Sequence, residues 1–297
     1  MTSVPVLAKS SHFYTPLRYP GGKGKLAPFV KAVIELNHLS DGYYAEPYAG
    51  GAAVALELLF HEYVTHVYIN DISPSIGAFW RSVLHDTDSL CARIRDTRIA
   101  MDEWMRQRDV LRATETMSDI DLGFATFFLN RTNRSGILKG GVIGGKDQSG
   151  PWKIDARYNV AELVRRIEAI ARLGNRIAFS QEDALVFLRK TVAKLPTNTL
   201  VYLDPPYYVK GKDLYLNYYA PKDHERIASS VPRILSRQKW MVSYDDAPEI
   251  FELYSEHEAI RYGLSYSAQA RYRGGEVMFF SDGLTIPPLL GTMRAAA

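Results

Sequence analysis

The chain has 297 residues, of which 46% are hydrophobic and 23% are charged, a composition typical of a soluble globular protein. Its length accommodates one large α/β domain, or a domain with an insertion. No apolar stretch is long enough to cross a bilayer, residues 1–12 lack the pattern of a signal peptide, and the single cysteine, Cys91, excludes an internal disulfide and a cysteine-based zinc site. The formal net charge of +3 permits nucleic-acid binding but does not require it.

The first glycine-rich stretch covers residues 18–25 and reads R-Y-P-G-G-K-G-K. Gly21 and Gly22 let the backbone approach a ligand closely. Lys23 brings positive charge to the start of a helix that we predict over residues 25–37. A P-loop is excluded because the G-x-x-x-x-G-K-[ST] spacing is absent. A glycine turn followed by solvated lysines remains the alternative.

A strand, a glycine turn and a helix are predicted next, in residues 43–60. The strand ends near Glu46, Pro47 interrupts it, Gly50 and Gly51 form the turn, and a helix rich in alanine and leucine follows. This order is typical of the unit that cradles nucleotides in doubly wound folds. A dinucleotide is not favoured, because the sequence lacks G-x-G-x-x-G.

A second strand is predicted over residues 66–70, and Asp71 follows it directly. An acidic residue at the end of the second strand, about twenty residues beyond the glycine turn, is where doubly wound folds hold ribose hydroxyls. The alternative is an N-cap for a helix that opens at Ser73 and Pro74. We favour the ribose role because the spacing and the strand end agree.

The middle of the chain is predicted to be a helical insertion followed by a glycine-rich stretch. Apolar side chains recur at helical intervals over residues 74–129. Residues 130–153 contain six glycines and no glutamate, and their basic side chains include Arg131, Arg134 and Lys139. A flexible basic loop or hairpin can follow a phosphate backbone and reach into a groove. The alternative is a long solvated loop.

An amphipathic helix is predicted over residues 159–173, with Asn159 as its N-cap. A strand over residues 176–180 and another helix follow, so Asp183 lies at a further strand end. At this position Asp183 can bind a ligand, or it can cap the helix that follows. The two roles are compatible.

The stretch Asn198 to Tyr208 reads N-T-L-V-Y-L-D-P-P-Y-Y, a short buried strand that stops abruptly at a proline pair. Asp204 sits at the carboxyl end of the strand, where open α/β sheets place their ligands. A carboxylate and a prolyl carbonyl are both acceptors and together suit an exocyclic amine. The ring of Tyr207 suits a planar heterocycle. An ordinary strand exit with a capping Asp is the alternative.

Four stretches, R-Y-P-G-G-K, A-E-P-Y-A-G-G, I-N-D-I and L-D-P-P-Y, occur in this order. Together they resemble motifs X, I, II and IV of the Dam-type DNA adenine-N6 methyltransferases. Tyr48 stands where many members have Phe, and Tyr19 where many have Trp, so both departures keep an aromatic ring.

The resemblance implies a doubly wound, Rossmann-like α/β sheet of the S-adenosylmethionine methyltransferase kind. Residues 1–72 and 159–297 would form the catalytic domain, and residues 73–158 an inserted target-recognition domain built of helices and a hairpin. The implied cofactor is S-adenosylmethionine, without a metal. The implied partner is double-stranded DNA, and whether a cognate restriction endonuclease accompanies the chain stays open. The implied location is the cytoplasm, with the chain encoded by a bacterium or a phage.

The resemblance also implies three sets of site residues. The catalytic set is Asp204, Pro205, Pro206 and Tyr207. The cofactor-binding set is Tyr19, Lys23, Glu46, Pro47, Tyr48, Gly50, Asp71, Ile72, Asp183 and Ala184. The DNA-binding set is Arg131, Asn133, Arg134, Lys139 and Lys146 in the basic stretch. Arg271 and Arg273 are added to it from the sequence itself, as basic side chains before the last predicted strand that can meet phosphate.

Several alternatives remain. The tetrapeptide D-P-P-Y, residues 204–207, also suits an RNA adenine or a DNA cytosine-N4 target. A catalytically silent DNA-binding relative is a different class, against which the intact Asp204, Gly50 and Asp71 argue. A nucleotide-binding enzyme without methyl transfer ranks last, because there is no P-loop. The remaining elements predicted are helices over 221–235 and 248–254, strands over 239–244, 258–262 and 276–281, and a disordered tail over 293–297.

Overall fold

The core of the fold is an eight-stranded sheet. A computed structural model describes residues 14–18, 23–209, 219–264, 275–289 and 293–295. In this part of the chain the strands are β1 (Gly42–Glu46), β2 (Val64–Asn70), β3 (Ile177–Ser180), β4 (Thr199–Leu203), β5 (Lys239–Asp245), β6 (Ala259–Leu264), β7 (Gly275–Phe280) and β8 (Met293–Ala295). They lie in the order β3-β2-β1-β4-β5-β7-β6-β8.

The first five strands are parallel, and the last three join them by antiparallel pairing. After β1 the chain moves outward to β2 and β3, and it then returns to place β4 on the other side of β1. The strand order therefore reverses between β1 and β4, and doubly wound sheets bind ligands at such a switch point. The predicted fold class is confirmed.

Ten α-helices flank the sheet within the described ranges. They are α1 (Ala27–Leu36), α2 (Ala53–Phe60), α3 (Pro74–His85), α4 (Thr87–Asp96), α5 (Met101–Arg112), α6 (Asp119–Thr132), α7 (Val160–Arg172), α8 (Ala184–Lys190), α9 (Pro221–Ile234) and α10 (Pro248–Leu253). Short 3-10 turns cover Lys23–Leu26, Thr114–Thr116, Arg134–Gly136, Gly174–Arg176 and Val192–Lys194. None of the helices in these ranges has the length and the apolar character that a membrane span requires.

Helix α7 shows how the sequence determines a local element. The Asn159 side chain accepts a hydrogen bond from the Glu162 amide and caps the first turn, as predicted. Leu163, Val164 and Ile167 are buried on one face. The apolar spacing fixes which face of the helix packs inward.

The helices between β2 and β3 share a hydrophobic core with the sheet. Phe79, Trp80 and Phe127 belong to the same buried cluster as Tyr44 of β1 and Val67 of β2. Residues 73–158 are therefore packed against the sheet through a common core. The domain boundaries proposed from the sequence stay a prediction.

The carboxyl-terminal segment differs from the sequence-based expectation. A disordered tail is predicted over residues 293–297, but Met293–Ala295 forms strand β8 and pairs antiparallel with β6. The Met293 side chain is buried in the main core. The prediction was wrong because a three-residue strand is too short to show a periodic pattern, and its position depends on a partner edge that is remote in sequence.

Candidate active site

Asp204 leaves the end of β4 with one of its two carboxylate oxygens already bound. Ser243 on the neighbouring strand β5 donates its hydroxyl to Asp204 Oδ1 at 2.7 Å. Lys23 Nζ lies 3.2 Å from the same oxygen. Within the described residues, no protein group hydrogen-bonds Oδ2. The carboxylate is therefore oriented, with one oxygen held and the other open to a donor.

Lys23 links the amino-terminal glycine-rich stretch to this carboxylate. Besides Asp204, its ammonium donates to Tyr207 Oη at 2.6 Å and to Glu276 Oε2 at 3.1 Å. Burial alone would lower the pKa of Lys23, but the negative charge of Asp204 and the surrounding tyrosines raise it well above its ordinary value. Lys23 is thus a permanent cation with a partner for each of its three N–H groups.

The acidity of Asp204 reflects opposing effects. Burial raises its pKa, the Lys23 ammonium and the Ser243 hydroxyl lower it, and the Glu276 carboxylate raises it again; the net result is a raised pKa. A carboxylate of raised basicity is a better acceptor for a hydrogen-bonded proton.

The turn after Asp204 is held from the next strand. Asp245 accepts hydrogen bonds from the Tyr208 amide at 2.8 Å and from the Val209 amide at 2.9 Å. Pro205 and Pro206 are buried, and Tyr207 is only 7% exposed. Because Ser243 and Asp245 are two residues apart in β5, their side chains lie on one face. Ser243 holds Asp204, and Asp245 holds the two residues that follow Tyr207.

The glycine turn after β1 is braced by Asp71 at the end of β2. Asp71 Oδ2 accepts from the Gly50 amide at 2.9 Å, and Oδ1 accepts from the Ser73 amide at 2.9 Å. Gly50 has a φ of 48°, which favours glycine, and its carbonyl accepts from Trp80 Nε1. Burial raises the pKa of Asp71 to about 6. Helix α3 has Ser73 as its N-cap, so Asp71 is not the cap itself.

The other cofactor candidates of the first two strands lie around this turn. Glu46 is buried and accepts from Tyr44 Oη and from the Ala55 amide; burial raises its pKa to about 8. The Pro47 carbonyl accepts from Asn70 Nδ2. The apolar side chain of Ile72 is 49% exposed beside Asp71, which leaves it free to cover a flat ligand.

Tyr48, Asp183 and Ala184 are the remaining cofactor candidates that the structure describes. The Tyr48 hydroxyl accepts a hydrogen bond from the Tyr219 hydroxyl. Asp183 caps α8, since its Oδ1 accepts from the amides of Leu185 and Val186, and Ala184 is the first residue of that helix. No bond to Asp183 Oδ2 is made within the described residues, so this oxygen is available to a ligand. Tyr19, Arg271 and Arg273 lie outside the residues that the structure describes.

The basic stretch predicted from the sequence is anchored to the segment that leads to Lys23. Asn130 at the end of α6 accepts from the Arg18 amide and donates to the Arg18 carbonyl, both at 2.7 Å. At Gly136 the φ is 76°, and a side-chain Cβ would lie 2.2 Å from the Arg18 carbonyl oxygen. Only glycine fits this close approach.

The candidate DNA-binding residues fall into two groups. Arg134, Lys139 and Lys146 are exposed. Arg131 is half-buried and donates to the carbonyls of Arg157 and Pro16. Burial and the nearby positive charges of Arg18 and Arg166 lower the pKa of Arg131 to about 9. Arg131 therefore stands among other cations and is tied to the backbone rather than to a carboxylate.

Asn133 is a correction to the sequence-based assignment. It is fully buried, accepts from Trp104 Nε1, and donates to the carbonyls of Ile137 and Leu138. Its side chain is occupied inside the protein and does not reach the surface as a DNA contact. A polar residue between two arginines looks exposed in the sequence, and its buried hydrogen bonds become visible only in the fold.

The structural role of Asn133 leads to a stability prediction. Replacing Asn133 by Ala should lower the free energy of unfolding by about 1–3 kcal/mol, because buried polar partners are left unsatisfied. Urea unfolding followed by circular dichroism measures this loss. Asn159→Ala, which removes an exposed cap, should cost only about 1 kcal/mol. A stability loss at Asn133 no greater than at Asn159 would contradict the buried role.

Three residues next to Asp204 were not selected from the sequence: Ser243, Asp245 and Glu276. Ser243 and Asp245 lie in β5, and Glu276 lies near the start of β7. A polar residue within an otherwise buried strand was the available signal, since such groups need a partner. The Trp152 side chain is 63% exposed at the end of the basic stretch, with the Arg157 guanidinium 5.6 Å from its ring centre.

Among the described residues there is no group of three or more His, Cys, Asp or Glu side chains that could hold a metal ion.

A search of curated proteins finds no match to the chain. Among solved structures, the chain is similar to the rRNA methyltransferase AviRa from Streptomyces viridochromogenes, with 15% identity and a TM-score of 0.38, over 88% of this chain and 85% of that one. It is also similar to a conserved hypothetical protein of Streptococcus pyogenes, with 10% identity and a TM-score of 0.32, over 82% of this chain and 88% of that one.

Residues 19–267 match the model of the D12 class N6 adenine-specific DNA methyltransferases. The match covers most of the chain, including β1 to β6 and the Asp204 turn. The chain is a methyltransferase and belongs to the D12 class N6 adenine-specific DNA methyltransferase family.

Proposed function

We propose that this protein transfers a methyl group from S-adenosylmethionine to the exocyclic N6 amine of an adenine in duplex DNA, at a specific sequence. The observation that carries the proposal is the state of Asp204. Its Oδ1 is held by Lys23 and Ser243, and its Oδ2 is left to accept a hydrogen from an amine. The Pro205 carbonyl follows in the chain and serves as the second acceptor.

The residues at the switch point fit the proposed cofactor. Asp71 keeps acceptor capacity beyond its two amide bonds, because each carboxylate oxygen can accept more than one hydrogen bond, and it would hold the ribose hydroxyls. The exposed side chain of Ile72 would cover one face of the adenine, and the free oxygen of Asp183 would accept from its amino group. Gly50 would allow close approach of the cofactor to the turn. Tyr19, Lys23, Glu46, Pro47, Tyr48 and Ala184 complete the proposed set.

The protein's part in the reaction is to orient and activate the amine. The adenine N6 lone pair is delocalised into the ring, which makes it a poor nucleophile. Hydrogen bonds to Asp204 and to the Pro205 carbonyl would draw the nitrogen toward a pyramidal form. When bound, S-adenosylmethionine supplies the methyl group, whose carbon–sulfur bond breaks as the carbon–nitrogen bond forms, leaving a neutral thioether. One amine proton leaves along the hydrogen bond to Asp204 and passes to solvent.

The target adenine must leave the base stack to reach this turn, at a cost of a few kcal/mol. Stacking on Tyr207 would offset part of this cost. Since Tyr207 is only 7% exposed, the stacking requires a movement of the groups around the ring. Pro206 would keep the turn stiff during that movement.

The proposed reaction is tested directly. The protein is incubated with methyl-labelled S-adenosylmethionine and mixed-sequence duplex DNA, and the DNA is digested to nucleosides. We expect the label in N6-methyladenine. Label in N4-methylcytosine, or in RNA but not in DNA, would replace the proposed substrate by one of the alternatives. Absence of label with cofactor bound would favour a silent DNA-binding relative.

The exposed basic side chains would provide the DNA contacts. Lys139 precedes Gly140 and Gly141, where the backbone can approach a phosphate. Arg134 is exposed at the start of the 3-10 turn and can reach base edges. The stretch contacts Arg18 through Asn130. Lys23 follows Arg18 closely in the sequence and contacts Asp204. The same surface would therefore hold the duplex next to the catalytic turn, with Lys146, Arg131, Arg271 and Arg273 as further proposed contacts.

Two variants should separate these roles. Lys139→Ala should weaken binding equally on cognate and scrambled duplexes and reduce the salt slope by about one. Arg134→Ala should cost roughly 1–3 kcal/mol on the cognate duplex alone. Titrations of both duplexes at several salt concentrations measure these effects.

The matched control is Lys194→Ala, an exposed lysine at the amino-terminal end of β4, on the edge of the sheet opposite the site. It should bind both duplexes like the parent. If Lys139→Ala and Arg134→Ala also behave like the parent, the basic stretch does not read DNA, and the helices before it become the candidate.

A further inference from the structure

Three arginine side chains come together where the amino-terminal segment contacts the insertion: Arg18, Arg131 and Arg157. Arg131 donates to two backbone carbonyls, one of them that of Arg157 at 2.7 Å. Arg18 donates to the Asn133 carbonyl at 3.2 Å. The Arg157 guanidinium lies over the ring of Trp152, whose face attracts a cation. Each guanidinium is therefore held in position by neutral groups, and most of its five N–H donors stay unused.

These positive charges are not cancelled within the part of the chain that the structure describes. No Asp or Glu side chain there forms an ion pair with Arg18, Arg131 or Arg157. Glu162, on the helix that follows, is already paired with two other arginines. Burial lowers the pKa of both Arg18 and Arg131, and the charge of Arg157 lowers each of them as well. The three charges are therefore close enough to repel one another.

A buried hydroxyl beside Arg131 lacks a partner. Tyr158 is 5% exposed, and its Oη makes no hydrogen bond with the described residues. Burial raises the pKa of Tyr158, and the charge of Arg131 lowers it, so the hydroxyl lies near that guanidinium. A buried polar group without a partner is costly and calls for an explanation. An anion would meet both needs, because it accepts hydrogen bonds and neutralises positive charge.

We propose that Arg18, Arg131 and Arg157 form a phosphate-binding site that takes a phosphodiester of the DNA backbone. The inference rests on the proposed function for its ligand, and it adds Arg18 and Arg157 to the contacts proposed there. The planar fork of a guanidinium matches two phosphate oxygens. Because the three forks are held before the ligand arrives, less freedom is lost on binding. Backbone contacts position a duplex without reading its sequence, so this site would act on every sequence alike.

The first test uses inorganic phosphate alone. The midpoint of thermal unfolding is measured against phosphate concentration, with chloride keeping the ionic strength constant, because a ligand that binds the folded state raises this midpoint. The parent should be stabilised as phosphate increases. In Arg157→Gln the apparent Kd for phosphate should be about tenfold weaker, the lower end of the loss for one charged hydrogen bond. Arg157 is exposed, so this variant should fold like the parent.

The matched control is Arg112→Gln. It removes the same charge from an exposed arginine that is paired with Asp109, and it should keep the parent's response to phosphate. Tyr158→Phe should bind phosphate several-fold more weakly, and without phosphate it should be no less stable than the parent, because it removes a buried hydroxyl that has no partner. A phosphate response that both Arg157→Gln and Tyr158→Phe leave unchanged would overturn the proposal.

The second test asks whether the phosphate belongs to DNA. Arg157→Gln should weaken binding to duplexes of unrelated sequence by the same factor and reduce the salt slope by about one. A weaker phosphate response with unchanged duplex binding would mean that the site takes a free phosphate, and it would overturn the assignment to the backbone. Both measurements are made without cofactor. If both effects appear but no label enters N6-methyladenine, the phosphate site stands and the proposed reaction fails.

Discussion

Replacing Asp204 by Asn should reduce methyl transfer at saturating cofactor and DNA by about a thousandfold, at the upper end of the loss for removing one preorganised polar group. Lys23 and Ser243 both donate toward the position of Oδ1. They would orient the Asn so that its oxygen faces them and its NH₂ group faces the cavity. A donor would then meet the donor hydrogens of the target amine. Single-turnover measurement of labelled methyl transfer gives the rate constant.

Cofactor binding provides the control for this variant. S-adenosylhomocysteine should bind Asp204→Asn as it binds the parent, and S-adenosylmethionine should lose no more than about the tenfold expected for one charge. Asp204→Ala should behave in the same way. Retained turnover in either variant would exclude Asp204 as the acceptor that activates the amine. Loss of both ligands would instead point to a collapsed site.

Replacing Asp71 by Ala should weaken S-adenosylmethionine and S-adenosylhomocysteine alike, by about 1.5–3 kcal/mol, because a charged hydrogen bond to the ribose is lost from both. Asp71→Asn, which keeps the size of the side chain, shows how much of the loss comes from the charge. Calorimetry measures both affinities, and circular dichroism checks that the fold is intact.

The pH dependence offers an independent measurement at Asp71. Burial raises its pKa to about 6, so the carboxylate is ionised at pH 8 and protonated at pH 5. Affinity for both ligands should therefore fall as the pH drops through 6, and Asp71→Asn should remove this fall. If affinity stays constant from pH 8 to pH 5 in the parent, Asp71 only braces the amides of Gly50 and Ser73.

Most of the sheet could be predicted because each central strand is an apolar run ended by a glycine, a proline or an acidic residue. The strand before Asp204 and the turn at Gly50 follow directly from such boundaries. The switch point then places Asp71 and Asp204 at one edge. Short-range patterns thus predicted the elements and, through the topology rule, the position of the site.

The surroundings of Asp204 could not be predicted in the same way. Lys23, Ser243 and Glu276 come from separate elements, and their convergence depends on the strand order β4-β5-β7, in which β7 is inserted antiparallel. The prediction that Asn133 contacts DNA was wrong for a related reason. Its partners Trp104 and Leu138 surround it only after α5 packs beside α6. Long-range pairing of polar side chains leaves little trace in a single sequence.

The Asn130 side chain pairs with the Arg18 backbone in the way that a neighbouring β-strand would. It accepts one hydrogen bond from the Arg18 amide and donates one to the Arg18 carbonyl. This has a consequence for chimaeric enzymes with altered target sequence. A graft that exchanges all of residues 73–158 would remove Asn130 and release the segment that carries Lys23 toward Asp204. A crossover after Asn133 would keep that attachment and exchange only the residues that follow it in the insertion.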